Sequence, residues 1–296
     1  MIIIGSRGSQ LALWQSRWVA ARLASFGEET RIEIIKTTGD QVQDVPLGQV
    51  GSKGLFTKEI EDALLDGSID LAVHSLKDMP TELPAGLVLA AIPEREDVRD
   101  ALIGRTLAEL PAGAKVGTGS LRRGAQLRAL RPDLDVVGIR GNVDTRLRKL
   151  DEGQYDAIML AAAGLTRLGW AARINQYFEP SEICPAVGQG ALAIETVEAK
   201  RNIASKLNDP ATAIAVRAER SLLATLGGGC QVPVGAHALV NGELLELRGI
   251  VASPDGSRIV RSLLTGNTDD PEDLGHRVAK ELLDQGARSL LEAAHP

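Results

Sequence analysis

Cys230 closes the run Glu219-Arg220-Ser221-Leu222-Leu223-Ala224-Thr225-Leu226-Gly227-Gly228-Gly229-Cys230-Gln231-Val232-Pro233. An apolar helical stretch stops at three glycines, and a thiol follows at once. Glycine removes side-chain bulk and opens backbone angles closed to other residues. The thiol is therefore expected on a bend with open space beside it, which suits a nucleophile or a point of covalent attachment. A small buried hydrophobe on a turn is the alternative reading of a free cysteine. A second candidate is Val73-His74-Ser75-Leu76-Lys77-Asp78-Met79-Pro80, at the C-terminal end of a strand. Ligands of open α/β sheets sit at that edge. Lys77 and Asp78 would bring an acid and a base together beside a proline-fixed turn, although a surface ion pair capping a loop would look the same. His74 lies further from the loop tip and is expected to be a structural hydrogen-bonder.

Arginines gather at other strand ends. Gly117-Thr118-Gly119-Ser120-Leu121-Arg122-Arg123 reads as strand, small-residue turn and helix start. Free backbone N–H groups and the helix dipole there attract an anion. Thr118 and Ser120 add hydroxyls. Carboxylates or a small phosphate would fit; a plain N-cap is the alternative, and two arginines on a first helical turn tell against it, being unfavourable unless an anion compensates them. Ile139-Arg140-Gly141-Asn142-Val143-Asp144-Thr145-Arg146 is again strand-to-helix, and Arg7 sits with Ser6 and Ser9 at the first strand end. Arginine-bearing strand ends in two domains predict a cleft between them.

The charge distribution agrees with a small polyanion as ligand. The formal net charge is −6, yet Arg122 to Arg148 holds seven arginines against three aspartates. Arginine suits forked recognition of carboxylates, while the overall negative charge argues against general nucleic-acid binding. Arg128, Arg131 and Arg148 read as a solvated helix face. Cys184 and Cys230 are the only cysteines, the four histidines are scattered, and no cluster has metal-ligand spacing. The start, Met-Ile-Ile-Ile-Gly-Ser-Arg, lacks the basic and apolar regions of a signal peptide. The chain reads as cytoplasmic with both thiols free and Cys184 structural.

These residues need elements to hold them. Over the first ninety or so residues, strands at 2–4, 31–36, 69–73 and 87–92 alternate with helices at 10–26 and 57–65, the pattern of a largely parallel α/β sheet. Residues 38–54 read as a mobile loop. A second alternating set has strands at 115–118, 135–139 and 157–161, with helices at 121–130 and 143–150. A strand at 191–195 returns to the first sheet. Beyond Asp209-Pro210 come a helix over 211–226, hairpin signals at Asn241-Gly242 and Pro254-Asp255-Gly256, and a terminal helix over 273–291. The expected class is α/β with a smaller α+β C-terminal domain. Domain 1 would comprise 1–94 and 189–208, domain 2 would comprise 95–188, and domain 3 would comprise 209–296.

From end to end these segments resemble the porphobilinogen deaminase family. The resemblance rests on Gly5-Ser6-Arg7-Gly8-Ser9-Gln10-Leu11-Ala12-Leu13-Trp14-Gln15, Gly54-Leu55-Phe56-Thr57-Lys58-Glu59, His74-Ser75-Leu76-Lys77-Asp78-Met79-Pro80, the Gly117–Arg123 run, Arg140-Gly141-Asn142-Val143-Asp144-Thr145-Arg146-Leu147, Pro185-Ala186-Val187-Gly188-Gln189-Gly190 and the Cys230 run. The chain departs from the pattern at Gly119, where serine is common. The resemblance implies two domains like type II periplasmic binding proteins with a hinged cleft, plus a smaller third domain. It implies an enzyme that joins four porphobilinogen molecules into hydroxymethylbilane, releasing ammonia at each step, on a dipyrromethane cofactor held by a thioether to Cys230. It further implies Asp78 as the catalytic residue and Lys77, Ser75, Thr118, Ser120, Arg122, Arg123 and Arg146 as cofactor contacts. Arg7, Ser9, Phe56, Arg140, Arg167 and Gln189 would contact substrate, with Phe56 stacking on a pyrrole. A monomer acting on a small molecule, without nucleic-acid or membrane partners, is the family expectation. Two other classes share features with this chain. A periplasmic anion-binding protein would share the architecture but need no Cys230. A cysteine hydrolase would pair Cys230 with a histidine.

Overall fold

The computed structural model describes residues 1–41, 57–227 and 232–294. In chain order the first part runs β1 (Ile2–Ser6), α1 (Gln10–Ser25), β2 (Thr30–Ile34), α2 (Thr38–Gln41), α3 (Lys58–Leu65), β3 (Leu71–Ser75) and β4 (Leu87–Ala91). Then come β5 (Asp100–Ile103), β6 (Lys115–Gly117), α4 (Leu121–Leu130), β7 (Asp135–Val137), α5 (Val143–Asp151), β8 (Ala157–Ala161), α6 (Ala162–Arg167) and β9 (Ile174–Phe178). The chain ends with β10 (Leu192–Val197), α7 (Pro210–Thr225), β11 (Val234–Asn241), β12 (Leu244–Ala252), β13 (Ile259–Asn267), α8 (Pro271–Asp284) and α9 (Ala287–Ala293). It divides into two compact units, one of residues 1–96 and 191–213 and the other of residues 97–190 and 214–296.

The first unit holds a five-stranded sheet in the order β2-β1-β3-β10-β4. β1 runs parallel to β2 and β3, while β10 runs antiparallel to both β3 and β4. The second unit holds a five-stranded sheet in the order β7-β6-β8-β5-β9. There β6 is parallel to β7 and β8, and β5 is antiparallel to β8 and β9. If each sheet's own strands are numbered from one, both orders read 2-1-3-n-4, where n is the first strand after the chain crosses from the other unit. This is the α/β, type II periplasmic-binding-protein-like class. The largely parallel sheet expected from the sequence is corrected to a mixed one by the two antiparallel crossing strands.

β5 and β9 went unread in the sequence. β5 has only four residues, all buried, so it shows no alternation. β9 follows a short 3-10 turn at Ala171–Arg173 and reads as a mixed polar stretch. The second unit also contains the antiparallel meander β11-β12-β13. Its inner face packs against α7, α8 and α9 around Leu222, Leu247, Val251, Val278 and Leu282. The single terminal helix read from the sequence is two helices. Gly286 at φ 94° stands between them, in the left-handed region where glycine carries no Cβ penalty. The 38–54 loop lies outside the described residues except for α2. Among the described residues no helix is long and apolar enough to cross a membrane.

Candidate functional site

In the first unit, parallel pairing sets Ile4 opposite Leu71 and Gly5 opposite Ala72. The C-terminal ends of β1 and β3 therefore open onto the same sheet edge. Ser9 caps α1 by accepting from Ala12 N at 3.3 Å, as a side-chain oxygen does at an N-cap. This fixes the Arg7–Ser9 turn at the end of β1. Gln15, on the second turn of α1, donates from Nε2 to Ser75 Oγ at 2.9 Å. From Ser75 the chain enters a 3-10 turn over Leu76–Asp78. Leu76 N donates to Ala191 O at 3.0 Å, and Met79 N donates to Leu76 O at 3.0 Å. Leu76 and Met79 are buried, Lys77 is half-buried and Asp78 is exposed. The two apolar residues anchor the turn from below and leave the carboxylate outside. His74 is buried and its Nε2 bonds Glu195 Oε2 at 3.1 Å, which bears out its reading as a structural hydrogen-bonder.

In the second unit, β6 ends in the turn Thr118-Gly119-Ser120. Thr118 N donates to Val137 O at 2.9 Å, Ser120 N to Thr118 Oγ1 at 3.3 Å, and Arg123 N to Ser120 Oγ at 3.4 Å. A Cβ on Gly119 would stand 2.9 Å from the Ile139 carbonyl oxygen, so here the turn takes glycine where the family commonly has serine. β7 leads to Arg140 and to Gly141 at φ 111°, a conformation that L side chains rarely adopt. Arg146, in the first turn and a half of α5, donates from Nε to Gly141 O at 2.7 Å. Arg140 is half-buried, and among the described residues no side chain or carbonyl engages its guanidinium.

The anion that Arg122 and Arg123 require is supplied by the chain itself. Arg122 Nη1 lies 2.6 Å from Asp100 Oδ2 and Arg123 Nε 2.8 Å from Asp100 Oδ1. Gln189 Nε2 donates to the same carboxylate at 2.9 Å and to Val98 O at 2.7 Å, and Gln189 Oε1 accepts from Arg123 Nη2 at 3.1 Å. Burial alone would raise the Asp100 pKa. The charges of Arg122 and Arg123 outweigh it and hold the carboxyl far below the usual range. Arg122 Nη1 also donates to Cys184 O at 2.6 Å, and Gln126 Oε1 accepts from Cys184 N at 2.7 Å. Burial pushes the Cys184 thiol up to about 12, so it remains a neutral thiol. Arg167 is buried and donates from Nη2 to Gly190 O at 2.6 Å.

The expected solvated face is corrected at two of its three members. Arg128 donates to Pro254 O at 3.0 Å and to Val136 O at 2.8 Å. Arg131 reaches Leu107 O at 2.7 Å and Leu110 O at 3.0 Å, besides Asp133. Both are carbonyl-binding struts, and Arg148 is exposed. Asp100 and Glu195 were missed in the sequence. The signal for Asp100 was present in the paired arginines, which require a negative partner that an internal residue can supply. Cys230 and Phe56 lie outside the described residues. Among the described residues, no group of His, Cys, Asp or Glu is arranged to hold a metal ion.

Residues 2–205 match the family model "Porphobilinogen deaminase, dipyromethane cofactor binding domain", and residues 213–284 match "Porphobilinogen deaminase, C-terminal domain". A porphobilinogen deaminase of Syntrophobacter fumaroxidans is 52% identical over 300 residues, covering 99% of this chain and 97% of its own length. One from a Roseiflexus species is 54% identical over 298 residues, covering 98% of each. Among solved structures, a periplasmic substrate-binding protein of an ABC transporter from Coxiella burnetii aligns with 72% of this chain and 94% of its own at 15% identity, with a TM-score of 0.44.

Proposed function

The chain belongs to the porphobilinogen deaminase family, and we propose that in that family's reaction Asp78 is the group that meets the reacting pyrrole. The enzyme joins four porphobilinogen molecules head to tail into hydroxymethylbilane, with loss of ammonia at each step, in tetrapyrrole biosynthesis. Its dipyrromethane cofactor supplies the pyrrole end from which the chain is extended. Cys230 is the residue assigned to hold that cofactor through a thioether.

The observation that carries the reading is the placement of Asp78. It is an exposed carboxyl on a short turn whose flanking residues Leu76 and Met79 are buried, at the edge where β1 and β3 both end. As an acid it gives its proton to the leaving amine while the C–N bond breaks and ammonia departs. The carboxylate left behind then faces the cationic azafulvene and the pyrrole nitrogens, where a fixed negative charge stabilises the developing positive one. Lys77, Arg7 and Ser9 share that edge and offer donors to the acetate and propionate of porphobilinogen.

The second unit suits the carboxylates of a two-ring primer. Its donor set fits that group: the Arg140 guanidinium, unengaged among the described residues, Arg146, the Thr118 and Ser120 hydroxyls, and the N-terminus of α4. Arg122, Arg123 and Gln189, joined through Asp100, fix the start of α4 and so the turn that presents those donors. Arg167, bonded to Gly190 O, steadies the segment that follows Gln189. We place the enzyme in the cytoplasm, on the support of a free buried thiol at Cys184.

Intact mass and single-turnover ammonia release test the reading. Cys230→Ser should carry no adduct and show no turnover, because the nucleophilic sulfur is gone. Asp78→Asn should keep the adduct and slow ammonia release by about 10²–10³-fold. A rate within about threefold of the parent would remove Asp78 from the chemistry.

A further inference from the structure

Gln15 is 2% exposed and lies on the buried face of α1, which packs against β3. Ala12, Val19 and Leu23 on that face are apolar, and Gln15 and Ser16 interrupt them. An amide in such a place is disfavoured unless it is hydrogen-bonded. The bond it makes is to Ser75: Nε2 donates to Oγ at 2.9 Å, across 60 residues of chain. Ser75 is the last residue of β3 and the N-cap of the Leu76–Asp78 turn. A serine at an N-cap ordinarily turns its oxygen onto a backbone N–H of the turn that follows. Ser75 makes no such bond. The Leu76 N–H goes to Ala191 O instead, and the Met79 N–H to Leu76 O. The hydroxyl is thus spared from capping and is held sideways by α1. It is half-buried at the edge that also carries Lys77 and Asp78, and among the described residues nothing accepts its O–H.

A hydroxyl has one hydrogen and two lone pairs. Where an amide N–H occupies one lone pair, the O–H cannot point back along that line and is directed elsewhere. We propose that Gln15 is a positioning residue that holds the Ser75 hydroxyl as a hydrogen-bond donor to a carboxylate, acetate or propionate, of the pyrrole chain at the Asp78 edge. An ionised carboxylate only accepts. A serine whose oxygen is already engaged and whose proton is unclaimed is matched to it, and a bond to a charged acceptor is among the stronger kinds. An acceptor at position 15 would compete for the same proton. Incoming porphobilinogen and the dipyrromethane primer both carry such carboxylates, and the test separates them. This inference rests on the reading of the Asp78 edge as the place where the pyrrole reacts.

The test is a double-mutant cycle on the full chain, with the adduct followed by intact mass and kcat and KM for porphobilinogen measured on holoenzyme. Ser75→Ala removes a hydrogen bond to a charged group and should raise KM by about tenfold or more. Gln15→Met keeps the length of the side chain without donor or acceptor, so the hydroxyl rotates freely. Its KM should rise by about three- to tenfold while kcat stays within about threefold of the parent, because Asp78 is untouched. In the Ser75→Ala background the same Gln15→Met change should move KM by less than about twofold. Where the carboxylate belongs to the primer, this pattern appears in the fraction of chains carrying the adduct and KM stays parental. Gln15→Glu puts an acceptor where the donor stood. Assayed well above the ordinary glutamate value of about 4.3, it draws the O–H inward and should lose as much as Ser75→Ala. It takes the place of Gln15→Met should that variant fail to fold. A Gln15→Met effect of equal size with and without the Ser75 hydroxyl assigns Gln15 to packing alone and overturns the proposal. A loss confined to kcat, or a parental KM and adduct in Gln15→Glu, also overturns it. Failure of the Asp78 reading looks different: Asp78→Asn keeps the parental rate of ammonia release while the coupling of Gln15 to Ser75 persists. That outcome keeps the donor and overturns its placement at the reacting edge.

Discussion

β10 and β5 hold the same place in two sheets of one strand order, and each carries a carboxylate with no exposure, Glu195 and Asp100. Their surroundings are opposite. Asp100 stands at the sheet edge, opposite Ala161, the last residue of β8. It faces two guanidinium groups and an amide. Glu195 stands deeper, opposite Ala72 near the start of β3. It faces one imidazole. Asp100 is surrounded by excess positive charge and remains ionised at any ordinary pH. The same topological slot thus serves in one unit as a fixed ionic clamp under an arginine-rich turn, and in the other as half of a buried carboxylate–imidazole bond behind an acid-bearing turn.

The largest effect is expected at Asp100→Ala. It leaves Arg122 and Arg123 buried without their anion, a loss of about 3–5 kcal/mol for breaking a buried pair from one side. It also frees Gln189 Nε2 from one of its two acceptors. The urea midpoint of holoenzyme reads this, and cofactor loading by intact mass should fall as the Thr118–Ser120 turn loses its support. A variant destabilised by less than about 1 kcal/mol would mean the clamp carries nothing. Asp100→Asn should fall between parent and alanine: one oxygen still accepts, while the amide N–H2 sets a donor against a donor and the charge is lost.

The acid limb sharpens the same contrast. A carboxyl with a depressed folded-state pKa gives stability that is present above its unfolded value of about 3.9. That stability is lost as pH falls through the folded value. Asp100 therefore stabilises the enzyme throughout the neutral range and releases that stability only below about pH 4, while Glu61 on α3, whose carboxyl is raised by burial, has the opposite sign and weakens the fold as pH rises. Comparing Asp100→Asn with Glu61→Gln should show differences from the parent that change in opposite pH windows. Parallel curves for the two variants would erase the distinction between the two buried carboxyls.

The turns were legible in the sequence because their chemistry is local. The turns that end at Ser9 and Ser120 announce helix starts within a few residues, and both α1 and α4 begin where those residues predict. Asp78 could be placed at a strand end from the apolar run before it. The partners of buried charges were not legible. Asp100 lies 22 and 23 residues from its arginines, and Glu195 lies 121 residues from His74. Only the crossing strands β5 and β10 bring them together. The same limit explains Arg128 and Arg131, whose spacing marks a helix face but whose acceptors are carbonyls at Pro254, Leu107 and Leu110.

The smallest effect is expected at Cys184→Ala, and it separates the two cysteines. What the Asp100 clamp uses at residue 184 is backbone: the carbonyl accepts from Arg122 and the N–H donates to Gln126. Alanine keeps both. The side chain is buried and its thiol is held neutral, so it offers no nucleophile at the pH of the reaction. Removing one sulfur from a packed site costs about 1 kcal/mol, the scale of a small cavity. Ammonia release should therefore stay within about twofold of the parent, and the mass should show the full cofactor adduct. Loss of the adduct in Cys184→Ala would move the attachment point from Cys230 to Cys184. It would also require the clamp to open, because only an unburied thiol could reach the primer.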